Sequence, residues 1–362
     1  MEKQKRKKYV ISGGGTGGHI YPAIAIANAL KAANPDCEIL FIGAKGKMEM
    51  TKVPQAGFPI KGLWISGINR SFSPQLFLFP LKLVVSLITA FFTLLKFKPD
   101  AVIGVGGYAS GPSLRMANLL GINTFIQEQN SYPGITNKIL SKKAHKIFVA
   151  YPGLEKFFPA QKILLTGNPV RKDILKLEGK KERAKEQFKI NNDWPTILVI
   201  GGSLGARSIN HFFRDHLEEV AALNVNVVWQ CGKLFDIPKD LPAHIQCMPF
   251  IEQMDLAYSL ADIIVSRAGA LSVSEIALVK KPAILVPFPY ASEDHQTKNA
   301  EALVNKGAAL MVKDDQLNAD LMPALKSIIE DESKRDKMVM QLEGFGYPDS
   351  AEIIANEIIV SN

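Results

Sequence analysis

Short apolar runs rich in β-branched residues alternate along the chain with longer stretches of helical period. In the first half the runs are Tyr9–Ser12, Ile39–Ile42, Ala101–Val105, Thr124–Ile126 and Lys146–Val149, with a late one at Ile163–Thr166. In the second half they are Thr196–Ile200, Val225–Gln230, Gln246–Met248, Ile263–Ser266, Ala283–Val286 and Ala309–Val312. Helical patterns fall between them, among them Pro22–Ala33 with proline in its first turn, Ala206–Leu223 and Val273–Val279. Continuously apolar strands separated by helices predict parallel sheets covered on both faces.

The halves open alike. Tyr9–Ser12 runs into Gly13-Gly14-Gly15-Thr16-Gly17-Gly18 and then a helix; Thr196–Ile200 runs into Gly201-Gly202-Ser203-Leu204-Gly205 and then a helix. The expected fold class is α/β, as two doubly wound Rossmann-like domains, residues 1–166 and 167–349. The linker is expected near Gly167–Arg171, because Asn168-Pro169 favours a break. Lys172–Gln187, rich in Lys and Glu, reads as a solvated surface helix. The last helical stretch, Ser350–Val360, could stay with the second domain or pack back on the first; the sequence leaves both open.

Charge sharpens this division. The chain has 362 residues, 43 Lys+Arg against 35 Asp+Glu, and a net charge of +8. Residues 1–165 hold 21 basic and 7 acidic side chains, a net of +14, so the remainder carries −6. The first half is therefore expected to meet an anionic partner. With 47% hydrophobic and 22% charged residues, the chain is neither disordered nor collagen-like. Cys37, Cys231 and Cys247, far apart in sequence, give no disulfide framework and no zinc pattern, which points to a reducing compartment.

One segment bears on membranes. Met1 to Lys8 is basic, but the apolar run after it is too short for a signal-peptide core, which suggests a cytoplasmic start. Leu76 to Leu95 is dense in Leu, Phe, Val and Ile, yet its uncharged run, Leu83–Leu95, is too short to cross a bilayer core as a helix. Lys82, Ser86, Thr89, Thr93 and Lys96 form one narrow polar stripe on such a helix, and the rest is apolar. The helix is either packed in the domain or rests on a membrane surface, where Arg70, Lys82, Lys96 and Lys98 would meet anionic headgroups.

Candidate chemistry gathers at the ends of predicted strands. Gly13, Gly15 and Gly18 match the dinucleotide pattern G-x-G-x-x-G, but the tip of the next strand reads Ile42-Gly43-Ala44-Lys45, without the acid that holds a ribose. Five glycines in six residues exceed what a tight turn needs and suggest close approach of a ligand to backbone. His19 follows at a helix N-terminus, where N–H groups disfavour the imidazolium and leave the ring available as a base. Gly104-Val105-Gly106-Gly107-Tyr108-Ala109-Ser110-Gly111 and Gln127-Glu128-Gln129-Asn130 follow two further strands and converge on the same edge.

In the second half, Gly201-Gly202-Ser203 offers backbone donors to an anion. Arg267-Ala268-Gly269-Ala270-Leu271-Ser272-Val273-Ser274-Glu275 is a strand end, a glycine turn and a helix start. That helix start suits a diphosphate, and Glu275 could accept two ribose hydroxyl protons, or simply favour the helix dipole. Asp294-His295-Gln296-Thr297-Lys298-Asn299 offers hydrogen-bonding groups suited to a sugar. The chain has no P-loop, no H-E-x-x-H, no nucleophile elbow and no Asp-x-Asp pair, so helix dipoles would have to stabilise a leaving phosphate.

Taken together these motifs resemble the MurG family of peptidoglycan N-acetylglucosaminyltransferases. The matching elements are Gly13 to His19, Gly106 to Gly111, Glu128-Gln129-Asn130, Gly167 to Arg171, Gly201 to Ala206, Arg267 to Glu275 and His295 to Ala300, in family order over nearly the whole chain. The resemblance implies a glycosyltransferase of two Rossmann domains, its active site in the cleft. It implies inverting transfer from UDP-N-acetylglucosamine to the C4 hydroxyl of an undecaprenyl-diphosphate-linked muramyl pentapeptide, lipid I, giving lipid II at the cytoplasmic face of the membrane.

It implies no cofactor, no bound metal and no nucleic acid, and it leaves open partners among cell-wall synthesis or division proteins. Donor positions carry over to Thr16, Gly17, Gly18, Asn130, Arg171, Ser203, Ile251, Ala270, Leu271, Ser272, Val273, Ser274, Glu275 and Gln296. Gly106, Gly107, Tyr108 and Ser110 would form an acceptor-side loop. His19 is the first candidate base and Glu128 the second, with Arg171 a further aid to the departing diphosphate. The family often has His before Glu-Gln-Asn; here it is Gln127, which is given no proton-transfer role. Two other readings remain: a soluble UDP-sugar enzyme of this architecture, such as a 2-epimerase, and an inactive nucleotide-sugar-binding partner of a membrane complex.

Overall fold

A computed structural model describes residues 6–67, 74–202 and 204–362. The chain divides into two units, Met1–Val170 with Asp349–Asn362, and Arg171–Pro348.

Among the described residues, the first unit is a sheet of seven parallel strands: β1 (Lys8–Ser12), β2 (Glu38–Ala44), β3 (Ile60–Leu63), β4 (Ala101–Gly104), β5 (Asn123–Glu128), β6 (Lys146–Val149) and β7 (Ile163–Leu165). Their order is β3-β2-β1-β4-β5-β6-β7, so it reverses between β1 and β4. The connecting helices are α1 (Gly17–Ala33), α2 (Glu49–Gln55), α3 (Pro74–Phe97), α4 (Ser110–Leu119) and α5 (Ile135–Ser141). β3 was not expected from the sequence: Pro59, Lys61 and Gly62 interrupt its apolar pattern, as suits an edge strand that must not recruit a neighbour.

The second unit contains β8 (Thr196–Ile200), β9 (Asn226–Gln230), β10 (Ile245–Met248), β11 (Ile263–Ser266), β12 (Ala283–Leu285) and β13 (Leu310–Met311), in the order β10-β9-β8-β11-β12-β13. Its helices are α6 (Lys181–Gln187), α7 (Arg207–Asp215), α8 (Leu217–Ala221), α9 (Met254–Leu260), α10 (Ala270–Val279), α11 (His295–Val304), α12 (Leu317–Ile329) and α13 (Glu332–Leu342). Two predicted helices are shorter than their patterns. Lys172–Gln187 is a short 3-10 turn followed by α6, because Gly179 adopts φ +73° between them. Ala206–Leu223 breaks at His216, whose ring Nδ1 donates to the Phe212 carbonyl at 3.1 Å and whose ring stacks on that of Phe212. Cys231 and Cys247, distant in sequence, stand at the ends of adjacent strands as free thiols.

The last helix, α14 (Ser350–Val360), returns to the first unit. It buries Ala351, Ile354, Ala355 and Ile358 in the same core as Ile20, Ala27 and Leu30 of α1. Ser350 donates to the Gly167 carbonyl at 3.0 Å, and Lys146 pairs with Glu357. Burying four apolar side chains contributes several kcal/mol.

Helix α3 has its polarity turned inside out. Ser86 of the polar stripe is buried and donates to the Trp64 carbonyl at 3.0 Å, and Lys82 reaches Ser66 and stands over the Trp64 ring. Thr89 and Thr93 bond back to carbonyls one turn earlier, so the stripe from Lys82 to Thr93 finds its partners within the protein, and Lys96 at its end is exposed. The opposite face leaves Leu81, Val84, Ile88, Phe92 and Leu95 in the open, Phe92 at 63% exposure. By length and composition alone, Leu78–Phe97 could cross a membrane. Arg70 lies outside the described residues.

Candidate functional site

In an open parallel sheet, loops on either side of the point where strand order reverses diverge to opposite faces and leave a crevice at the strand carboxyl ends. The first unit puts Gly13–Gly18 after β1 and Val105–Gly107 after β4 on the two sides of that point. The two turns interlock: a Cβ at Gly107 would lie 2.2 Å from the Gly14 carbonyl oxygen, and one at Gly106 would lie 2.6 Å from Cδ2 of His19. The imidazole thus lies over Gly106, half-buried, with its Nδ1 3.1 Å from the Thr16 hydroxyl. Gly17 and Gly18 form the first turn of α1. Tyr108 is half exposed, its ring packed against Gly67. Ser110, expected on an acceptor loop, is fully buried; its hydroxyl bonds the Ser12 and Gly106 carbonyls and ties the two turns together. Its side chain is therefore structural.

Glu128 at the end of β5 is 2% exposed, and its carboxylate accepts four hydrogen bonds. Oε1 takes them from the Asn130 amide (3.0 Å) and the Asn130 side chain (3.2 Å); Oε2 takes them from the Gly134 amide (3.2 Å) and the Asn137 side chain (2.8 Å). A carboxylate has about four lone-pair positions, and all are filled. Burial pushes its pKa up, and these donors pull it back. As second candidate base Glu128 fails on this geometry, because no lone pair is left for an incoming hydroxyl proton. It holds the loop that carries Asn130. Gln127 is buried in a closed amide network with Asn168 and Gln129, which agrees with giving it no proton-transfer role.

The second unit repeats the arrangement, with Gly201–Gly202 after β8 and Arg267–Gly269 after β11 flanking its own reversal point. Ser203 lies outside the described residues. Gln230 joins the β8 turn to Ile251: its amide donates to the Gly202 carbonyl and its oxygen accepts from the Ile251 amide, each at 2.9 Å. Ile251, Ala270 and Val273 have buried side chains, so only their backbone could face a ligand, whereas Leu271, Ser272 and Ser274 are partly open. Glu275 is 7% exposed; Arg171 donates to its Oε1 and the Tyr258 hydroxyl to its Oε2, each at 2.9 Å. Burial raises its pKa against the pull of Arg171 and Tyr258, and burial with the Glu275 charge lifts the Tyr258 hydroxyl well above its usual value. Arg171, expected near a leaving diphosphate, is thus paired to the carboxylate expected to hold a ribose. Gln296 accepts from the Phe288 amide at 3.0 Å.

Tyr258 and Glu49 were missed in the sequence, and Arg267 was named only within its motif. Tyr258 orients Glu275. Arg267 bonds the Val286 and Pro287 carbonyls, Ser208 and Asp314, pinning the loop that leads to Phe288. Glu49 bonds the first glycine turn. Only the acidic or basic character of Glu49 and Arg267 was visible, and each acts across a separation that no local pattern reports.

Two sheets of this order, each with a glycine turn at its reversal point and helix starts suited to phosphate, are the architecture of a two-domain glycosyltransferase. The Glycosyltransferase family 28 N-terminal domain matches residues 9–149, and the Glycosyltransferase family 28 C-terminal domain matches residues 196–353. The UDP-N-acetylglucosamine–N-acetylmuramyl-(pentapeptide) pyrophosphoryl-undecaprenol N-acetylglucosamine transferase of Flavobacterium psychrophilum is 52% identical over 97% of both chains. The crystal structure of Acinetobacter baumannii MurG superposes with a TM-score of 0.76 at 29% identity, covering 98% of this chain and 99% of that one. The chain belongs to the MurG family of glycosyltransferases. A UDP-N-acetylglucosamine 2-epimerase structure shares the fold at TM-score 0.64, covering 99% of this chain and 97% of that one, but at 14% identity the likeness is of architecture alone. The 2-epimerase alternative is not favoured.

Glu128→Gln should replace one acceptor oxygen by an NH2 group facing two donors, costing about 1–3 kcal/mol. Thermal denaturation should show a lower melting temperature, and an unchanged one would remove Glu128 as the clamp of residues 130–137.

Proposed function

We propose that this enzyme transfers N-acetylglucosamine from UDP-N-acetylglucosamine to a muramyl pentapeptide carried on undecaprenyl diphosphate. The observation that carries this reading is the 52% identity, over 97% of both chains, to a transferase named for that reaction. The half-buried His19 over Gly106 and the buried Glu275 within α10 supply the chemistry it needs.

Transfer with inversion is a single displacement. The acceptor hydroxyl attacks the anomeric carbon, its proton passes to His19, and the bond to UDP breaks. The first unit supplies the base. The second holds the donor: Glu275, oriented by Arg171 and Tyr258, accepts from the ribose, and the start of α10 after Gly269 faces its backbone N–H groups toward the departing diphosphate. Gln296 and the backbone of Ile251 complete the donor contacts. This reading further assigns Thr16, Gly17, Gly18, Asn130 and Ser203 to the donor.

The acceptor is lipid-linked, so the enzyme works at the inner leaflet of the cytoplasmic membrane as a peripheral protein. Helix α3 supports this, since its exposed face is apolar and its polar stripe from Lys82 to Thr93 bonds within the protein. Lys96 and Lys98 stand exposed at its end to meet anionic headgroups. The docking face is therefore Val84, Ile88 and Phe92, whereas Leu83, Leu87 and Phe91 are half-buried against the domain.

Radiolabelled UDP-N-acetylglucosamine with a short-chain lipid-linked muramyl peptide, followed by product analysis, tests the reaction; no disaccharide product from wild type would refute it. In that assay His19→Ala should lower turnover by about 10²–10⁴-fold with little change in UDP affinity. Near-wild-type turnover removes His19 as base. Glu275→Ala should weaken UDP and UDP-sugar binding alike, and an unchanged dissociation constant by calorimetry would sink the ribose role. Replacing Val84, Ile88 and Phe92 together with Ser should reduce sedimentation with anionic liposomes while UDP binding stays intact; undiminished sedimentation would move the membrane contact elsewhere.

A further inference from the structure

The Gly13–Gly18 turn has the form of a phosphate cradle, yet an internal acid already fills part of it. Glu49, in the first turn of α2, is 1% exposed. Its Oε2 accepts from the Gly15 amide at 2.8 Å, and its Oε1 from the Ala44 amide at 2.9 Å. Among the described residues no cationic side chain pairs with it. The backbone is moulded around this carboxylate. A Cβ at Gly14, where φ is +139°, would lie 2.3 Å from its Cδ, and one at Gly43 would lie 2.5 Å from its Cγ. In a dinucleotide-binding domain, backbone N–H groups of this turn face a diphosphate, and an acid at the tip of the second strand holds a ribose. Here the tip of β2 has no acid, and the next one along folds back onto the glycine turn from behind.

We propose that Glu49 is the resident anion of this turn and a positioning residue for His19. The turn is clamped between Glu49 on one side and Gly106–Gly107 on the other, and His19 leaves it in the first turn of α1 to lie over Gly106. With Glu49 in place, the turn keeps its geometry without a phosphate. Without it, two buried N–H groups lose their acceptor, the turn relaxes and the imidazole shifts. A shift of about 1 Å can cost on the order of 10²-fold in turnover, while donor contacts in the second unit are untouched. The part concerning His19 rests on the transferase reading; the part concerning the anion does not.

The test is chemical rescue of Glu49→Ala by formate, which fits the vacated carboxylate position. Turnover of the variant should fall at least about 10-fold, a larger factor than any rise in donor KM, because, of the donor contacts, only Thr16, Gly17 and Gly18 lie on this turn. Tens of millimolar formate should raise the melting temperature of the variant and leave wild type unmoved, because only the variant binds it. The same formate should restore part of its turnover. Formate that changes neither property overturns the proposal; stabilisation without recovered turnover keeps the anion role and overturns the positioning of His19. If Glu49→Ala does not fold, Glu49→Gln decides: it fills the space but presents an NH2 to one backbone donor. Its turnover should fall by a larger factor than donor KM rises, with no response to formate, and wild-type turnover overturns the proposal. A wild type inactive with the lipid-linked acceptor refutes the transferase reading, while the melting measurement still decides Glu49.

Discussion

Reversal of strand order within a parallel sheet is the constraint from which the rest of this structure follows. Parallel strands need crossover helices, and crossovers keep one hand. At the point where the order changes, neighbouring loops must leave toward opposite faces, so the strand ends there stay uncovered. Both sheets obey this, between β1 and β4 in the first unit and between β8 and β11 in the second. Every glycine-rich turn singled out in the sequence falls beside one of these two points. Glycines are needed there because turns from different strands approach to contact, as Gly107 does against the Gly14 carbonyl.

Buried carboxylates hold these edges in shape. Glu49 bonds two backbone amides, Glu128 two amides and two side-chain amides, and Glu275 a guanidinium and a phenol. An acid at 7% exposure or less is costly to bury unless its oxygens are satisfied. Each therefore fixes the loops that satisfy it. The two acids of the first unit brace loops through backbone and side-chain amides, whereas Glu275 is oriented by a cation and a hydroxyl.

The charge split between the halves has a structural counterpart. The first half, at +14, carries a helix whose apolar face is bare, while the second, at −6, presents helix starts and polar loops. Apolar surface beside basic charge matches an anionic bilayer better than a nucleic acid. Oriented backbone N–H groups at helix starts can hold an anion without a basic surface.

What the sequence by itself determined is local: strand runs, glycine turns, helix starts and the family motifs, all written in neighbouring residues. Only β3 escaped, because an edge strand is punctuated by residues that read as loop. Tertiary structure decided the rest. The polar stripe of α3 was legible, but not which face it turned inward; that depended on Trp64 and Ser66 offering partners, and it left Val84, Ile88 and Phe92 exposed. Glu128 read as a possible base until four donors were seen to fill it. Glu49 had no visible role, since its partner Gly15 lies 34 residues away. The return of α14 to the first unit likewise rests on a core formed with α1, more than three hundred residues earlier. Periodicity reports which residues share a face; it cannot report what that face meets, and burial, ionisation and role are set by that meeting.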